Sequence, residues 1–167
     1  MISAEHAQLM GRYNAWQNER CYAAADGLTD AQRRQDQQAF FGSLHGTLAH
    51  ILWADRVWLH RFAGTPATIA ADAQGLGPAY TDWDRLQAER RTFDTTINDW
   101  AATLSDDWLA ADFTWTNVAG TRSATQPAWR LVAHLFNHQT HHRGQAHALL
   151  TGFGAATEDT DLLLLPS

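Results

Sequence analysis

Residues 127–151 read PAWRLVAHLFNHQTHHRGQAHALLT, and this stretch decides the fold. Its apolar residues recur at steps of three and four, which is the period of an α-helix with one buried face. Pro127 suits the first turn of such a helix, and Gly152 is a stop signal just beyond it. The sequence therefore predicts one long amphipathic helix that ends near Thr151.

Three further helices are predicted upstream of this one. They are expected over Ala4 to Ala25, from Gly42-Ser43 to about Phe62, and onward from an N-cap at Thr81. Residues 63–79 lack periodicity and predict a long crossover between helices two and three. Residues 112–125 change to a strand-like period and predict a short hairpin-like excursion before helix four, and the apolar Leu162 to Leu165 are expected to dock on the body. Together these features predict an all-α, single-domain four-helix bundle over residues 1–167.

Composition excludes several classes of protein. The chain is 45% hydrophobic and 18% charged, as in a globular protein rather than a disordered one. Its net charge is −6 and it contains no Lys, so we expect no binding to nucleic acid. It has no apolar run near the roughly 20 residues that cross a bilayer, so we expect no membrane insertion. A lone Cys21 and an N-terminus unlike a signal peptide predict a cytoplasmic protein.

The fourth helix carries five of the nine histidines. At about 100° per residue, its inward face is centred on Leu131, Leu135, Ala146 and Leu149. His138 and His142 fall within about 30° of Leu131 on either side, so both imidazoles are predicted to point into the bundle. Histidines at i and i+4 can bring two ring nitrogens to one metal ion, although two hydrogen-bonded core histidines are the alternative. Three others are predicted to be solvated or to lie beside the site: His134, His141 and His147.

Two common metal motifs do not fit this helix. A zincin needs Glu directly after the first His, whereas Leu135 follows His134 and Gln139 follows His138. A di-iron bundle needs Glu-x-x-His, and none of the four Glu residues provides it. A mononuclear site of histidines remains, and it requires a third ligand from another element.

The second helix offers three candidates for that ligand, His45, His50 and His60. His50 lies on an apolar flank, whereas the other two share a side with Arg56, so periodicity ranks His50 first and leaves the other two open.

Two other residues of the predicted helices need an explanation. Asp55 stands among apolar residues, where an unpaired carboxylate is costly. Its predicted partner is a ligand His that it orients, backbone N–H groups, or Arg90, which interrupts the apolar stripe of the third helix. Cys21 is predicted to be a small buried hydrophobe.

Three segments form a distinctive set: YNAWQN at 13–18, GSLHGTLAHILWADRVWL at 42–59 and HLFNHQTHHRGQ at 134–145. They occur in that order over nearly the whole chain, and they resemble the DinB-like (DinB/YfiT-like) metalloenzyme family. The resemblance implies a four-helix bundle with a long crossover, a homodimer, and a three-His site for zinc, nickel or iron. Carried over residue by residue, it assigns that site to His50, His138 and His142, the set that periodicity also favours.

Some members of that family are thiol-dependent transferases or isomerases, so the resemblance suggests a small-molecule substrate and a low-molecular-weight thiol. Three imidazoles leave a coordination position open, as in catalytic rather than closed metal sites. Our first hypothesis is therefore a metal-dependent transferase, or a hydrolase. A non-catalytic metal-binding or ligand-sensing dimer is the second, and a plain bundle whose histidines bind nothing is the third. The sequence leaves open the roles of Asp55, Arg90, His134, His141 and Gln145.

Overall fold

The computed structural model describes residues 1–64 and 81–166 and is mostly helical. In chain order the helices are α1 (Ala4–Asp26), α2 (Asp30–Arg34), α3 (Leu44–Ala63), α4 (Trp83–Ala102), α5 (Asp106–Ala110) and α6 (Ala128–Gly152). The four long helices match the four that the sequence predicts, so the all-α bundle is confirmed. The single-turn helices α2 and α5 were not predicted, because five residues are too few to show a period.

Side-chain caps explain where most of the long helices begin. Ser43 caps α3 as predicted, since its hydroxyl accepts from the backbone N–H of Gly46. The third long helix is capped by Asp82 rather than by Thr81, because the Asp82 carboxylate accepts from the N–H of Arg85 at 2.7 Å.

The long helices form a closed ring of neighbours. Helix α1 packs on α4 and α6, and α3 packs on the same two helices. The core between them consists of fully buried residues that include Leu44, Leu52, Leu59, Leu86, Ile97 and Leu135. The contact of α3 with α6 is the one that brings the predicted histidines together.

The predicted hairpin is present as an antiparallel pair, β1 (Asp112–Thr116) and β2 (Ser123–Pro127). Its side chains alternate in burial, and Phe113 and Trp115 of β1 pack against the core. The pair leads directly into α6 and so fixes where that helix begins.

The prediction that the apolar Leu162 to Leu165 dock on the body was wrong for the first three of these residues, whereas Leu165 is half-buried. Leu162, Leu163 and Leu164 are 40%, 95% and 51% exposed. Polar contacts hold this segment instead, since the Tyr13 hydroxyl donates to the carbonyl of Thr160 at 2.6 Å and Arg20 donates to that of Asp159 at 2.9 Å.

The predicted crossover over 63–79 lies almost entirely outside the described residues. Among the described helices, none is long and apolar enough to cross a bilayer.

Candidate metal centre

Histidines from two facing helices meet on the inner side of the α3–α6 contact. His50 of α3 and His142 of α6 are buried, and His138 of α6 is half-buried. Nε2 of His50 lies 3.4 Å from Nε2 of His138. One ring nitrogen from each of the three residues lies within 4.8 Å of the other two. The structure thus brings together the three residues that the sequence favoured.

The distances between these nitrogens fit a metal site. Two imidazole nitrogens bound tetrahedrally at about 2.0–2.1 Å from one zinc ion are about 3.3–3.4 Å apart. The 3.4 Å between His50 and His138 matches this separation. Imidazole is also a ligand type shared by zinc, nickel and iron. The donor set could hold such an ion, and it does not select among the three metals.

Gln145 determines how the His142 ring is oriented. Nδ1 of His142 lies 2.7 Å from Oε1 of Gln145, one helical turn further along α6. A carbonyl oxygen can only accept, so this contact places the ring proton on Nδ1 and leaves the lone pair on Nε2. Such a hydrogen bond from the second ring nitrogen is how ligand histidines are commonly oriented.

Burial favours the neutral form of the two imidazoles on α6. Desolvation, together with the nearby imidazoles of His142 and His50, lowers the pKa of His138 to about 3. Desolvation also lowers the pKa of His142, although its hydrogen bond to Gln145 opposes the shift. Neutral rings are the form that binds metal, so His138 and His142 are in that form near neutral pH.

Phe41 covers the cluster and was not anticipated from the sequence. Its ring stacks on His50 with centroids 3.8 Å apart and meets His142 edge-on at 5.3 Å. Trp53 lies next to His50 on the same helix, at 5.7 Å. The cluster therefore has an aromatic cover formed by the segment that precedes α3.

Gly46 allows that segment to come close. A Cβ at this position would lie 2.3 Å from the Phe41 carbonyl oxygen, so a larger residue would displace the backbone. In the sequence, the close contact between Phe41 and α3 is indicated only by the glycine in the first turn of the predicted helix. Glycine occurs at such positions for several reasons, so it does not predict this contact by itself.

Asp55 is fully buried, and its partner is Arg90 rather than a histidine of the cluster. Nη1 of Arg90 lies 2.6 Å from one carboxylate oxygen, and Nε2 of Gln139 donates to the other at 2.9 Å. Burial raises the pKa of Asp55, and the Arg90 guanidinium and the Gln139 amide oppose this shift. Of the partners predicted from sequence, Arg90 is the one found. Gln139, at the position where a zincin carries Glu, has a structural contact instead.

The polar contacts continue from Arg90 across the bundle. Nη2 of Arg90 lies 2.8 Å from Asp94, which also accepts from Asn18 at 2.8 Å and from Asn14 at 3.2 Å. Arg143 of α6 donates to Asn14 and extends the chain of contacts. The resulting network includes residues of all four long helices. The sequence showed it only as polar residues at inward helical positions.

The other predicted histidines do not join the cluster. His45 is buried, with its ring 5.9 Å from that of Trp83, and His60 is exposed. His134 is exposed, 5.7 Å from His138 between ring centroids, and the exposed His141 lies 4.8 Å from His142. These two line the approach to the cluster.

The remaining two residues lie away from the cluster. His147 is half-buried and faces α1. Cys21 is also half-buried, and burial raises the pKa of its thiol to about 12, in keeping with the predicted role as a small hydrophobe.

Comparison with known proteins identifies a family and a similar fold. The sequence model of the DinB family matches residues 3–167. The fold is similar to the crystal structure of a DinB-like protein from Bacillus cereus, with a TM-score of 0.62 and 22% sequence identity over 86% of this chain and 90% of the other. At that identity the likeness shows a shared fold. No curated protein matches the chain.

Proposed function

The chain belongs to the DinB family, and from that premise we propose that His50, His138 and His142 hold one divalent transition-metal ion in an enzyme that acts on a small molecule. The observation that carries this proposal is the convergence of three ring nitrogens within 4.8 Å of one another. Zinc, nickel and iron are all compatible with three imidazoles, and native metal content decides among them.

When bound, such an ion supplies Lewis acidity and a coordination position for an outside ligand. The residues of the chain supply the rest. Gln145 keeps the His142 lone pair on Nε2. Phe41 and Trp53 cover His50 and exclude water from that side. The half-exposed His138 leaves the other side accessible to a small molecule.

We favour a transferase that uses a low-molecular-weight thiol. The metal-competent cluster of the described residues contains histidines and no carboxylate, and the buried Asp55 is occupied by Arg90 and Gln139. A metal ion held by three histidines can itself ionise a bound water near neutral pH, so hydrolysis is the alternative. A thiol with a pKa of about 8.5 needs a much smaller shift than water to ionise at the same position. In the transfer, the thiolate sulfur forms a bond to an electrophilic carbon, and the leaving group departs with its bonding electrons.

Thiol binding can be tested with cobalt as a spectroscopic probe. Glutathione, mycothiol, bacillithiol and cysteine are titrated into cobalt-substituted protein. At least one is expected to produce a near-ultraviolet charge-transfer band and to raise the melting temperature. The His142→Ala protein, treated in the same way, should give no band. If no thiol changes the spectrum or the melting temperature of the metal-loaded protein, thiol transfer is wrong.

A non-catalytic metal-binding or ligand-sensing protein is the second candidate. It is favoured by the same lack of a carboxylate base in the described cluster. In that case the metal is present and a thiol or another small anion changes the cobalt spectrum. The wild type should then conjugate a thiol to a reactive electrophile, such as 1-chloro-2,4-dinitrobenzene, no faster than the His142→Ala protein does.

A further inference from the structure

A cavity lies on the face of α6 that is opposite the histidine cluster. It has a volume of about 260 Å³ and is enclosed by α1, α6 and the C-terminal segment. Cys21, Ala24 and Leu150 supply apolar lining, and Gln17, Arg143 and His147 supply polar lining. The cavity is large enough for a small organic molecule and shares no residue with the cluster.

Arg143 is a buried cation at the wall of this cavity. The residue is 7% exposed, and its guanidinium donates to Asn14 and lies 5.7 Å from the ring centroid of Tyr13. Within residues 1–64 and 81–166 it forms no ion pair with a carboxylate. Asp94 and Asp55 balance part of its charge from a distance, and Asn14 connects Arg143 to Asp94 by hydrogen bonds. A guanidinium has five N–H donors, so Arg143 retains donors for another acceptor.

Gln17 is the second polar group without a full set of contacts. It is 5% exposed, and its Nε2 has no hydrogen-bond partner in the described part of the chain. A buried donor without a partner is unfavourable, and a ligand acceptor would remove that penalty. Arg143 thus brings unused donors to the wall of the cavity, and Gln17, which also lines it, holds a further unused donor beneath that wall.

The charges of the cavity lining favour a ligand with one negative charge. Arg20 and Glu158 both line the cavity and are paired with each other, so their charges largely cancel. Arg143 is the lining cation without an ion pair among the described residues, and a single negative charge on the ligand would balance it. The apolar side of the cavity, at Ala24 and Leu150, suits a short hydrocarbon group.

From these contacts we propose that the cavity between α1 and α6 is a binding site for a small organic monocarboxylate. The carboxylate contacts Arg143 and Gln17, and the hydrocarbon part packs on Ala24 and Leu150. This site does not depend on the proposed metal function, because it uses the other face of α6.

The test is isothermal titration calorimetry of the purified protein with butyrate and benzoate, with butyramide and benzamide as neutral analogues. We expect at least one carboxylate to bind with a Kd below about 1 mM. Its amide should bind at least about tenfold more weakly, because a charge-assisted contact is lost. If neither carboxylate binds, or if each amide binds as tightly as its acid, the proposal is wrong.

Variants locate the site. Arg143→Met should weaken binding of the carboxylate at least about tenfold. Because Arg143 is buried and its loss could impair folding, Gly144→Leu provides a second test. A Cβ at Gly144 meets no atom within 4 Å, and Gly144 lines the cavity, so Leu should fill it without disturbing the core.

Two controls complete the experiment. Gly152→Leu makes the same change on α6 outside the cavity, where a Cβ also meets no atom within 4 Å, and should bind as the wild type does. His50→Ala should also bind normally, because a carboxylate held by the cavity does not need the metal. Loss of binding in His50→Ala, or normal binding in folded Gly144→Leu, would overturn the proposal.

Discussion

At the residue scale, the cluster depends on which nitrogen of each ring faces the other rings. Nε2 of His50 and Nε2 of His138 are 3.4 Å apart, so two neutral imidazoles can share only one long N–H···N hydrogen bond there. A shared cation would instead use both lone pairs at once.

Removal of any of the three ring donors should release the metal. His50→Ala, His138→Ala and His142→Ala proteins are expected to contain less than about a tenth of the metal of the wild type, since each loses one of three protein ligands. Elemental analysis after purification without chelator measures this, and the wild type should hold close to one ion per chain. His60→Ala on α3 and His147→Ala on α6 are matched controls and should retain metal. Full metal in His50→Ala would make His134, whose ring centroid lies 5.7 Å from that of His138, the better candidate.

Gln145 should affect metal affinity without being a ligand. Gln145→Leu removes the acceptor that orients His142 and should lower affinity about 10–100-fold. Gln145→Glu retains an acceptor and should recover most of it. Competition with a chromophoric chelator measures both values. Equal affinities for the Leu variant and the wild type would show that Gln145 has no orienting role.

Asp55 contributes to stability rather than to the cluster. Asp55→Ala leaves Arg90 without one of its two carboxylates in the core and should lower the free energy of unfolding by about 3–5 kcal/mol. Urea denaturation measures the change. Asp99→Ala, an exposed acid on the same helix as Arg90, should leave the midpoint nearly unchanged. If both variants unfold at the wild-type midpoint, the buried network does not stabilise the bundle.

At the scale of single elements, the start of α3 sets the position of the aromatic cover. Gly46→Ala puts a methyl group 2.3 Å from the Phe41 carbonyl oxygen, so the segment before α3 must shift, and Phe41 shifts with it relative to His50. We expect the variant to be destabilised by at least about 1 kcal/mol in urea, in line with overpacked sites. Gly144→Ala is the matched control. It adds a methyl group in open space within a helix and should stabilise by about 0.5–1 kcal/mol.

The elements also show what could be predicted from sequence. The long helices and the hairpin were predictable because each has its own hydrophobic period over enough residues. On α6 one face is clearly apolar, so the inward direction of His138 and His142 follows from that period. Helix α3 is buried on nearly all sides, so its period distinguishes His50 from His45 only weakly. The contact of Phe41 with His50 depends on a turn between them, and no periodic pattern reports it.

At the scale of the whole molecule, the buried network connects parts of the sequence that are far apart. Asn18 and Asp94 are 76 residues apart, and Gln139 and Asp55 are 84 apart. Each polar residue could be recognised alone as unusual in its helix, as Asp55 and Arg90 were. The partner of each polar residue depends on which helices are neighbours in the bundle, and one sequence alone does not determine that. The exposed tail is a similar case, since Leu162 to Leu164 have the composition of a docked segment and nevertheless lie exposed.

The exposed tail bears on the expected oligomeric state. The resemblance to the DinB-like family implies a homodimer, and Leu163 at 95% exposure is an apolar side chain that association would cover. Light scattering at micromolar concentration should give a mass near twice 18.6 kDa.

If the tail contributes to the interface, Leu163→Glu should shift the mass towards that of one chain, because it puts a charge into an apolar contact. Val118→Glu, at an exposed apolar residue of the hairpin turn, is the control and should not. A wild-type mass near 18.6 kDa would exclude the dimer, whereas a Leu163→Glu protein that remains dimeric would place the interface elsewhere on the bundle.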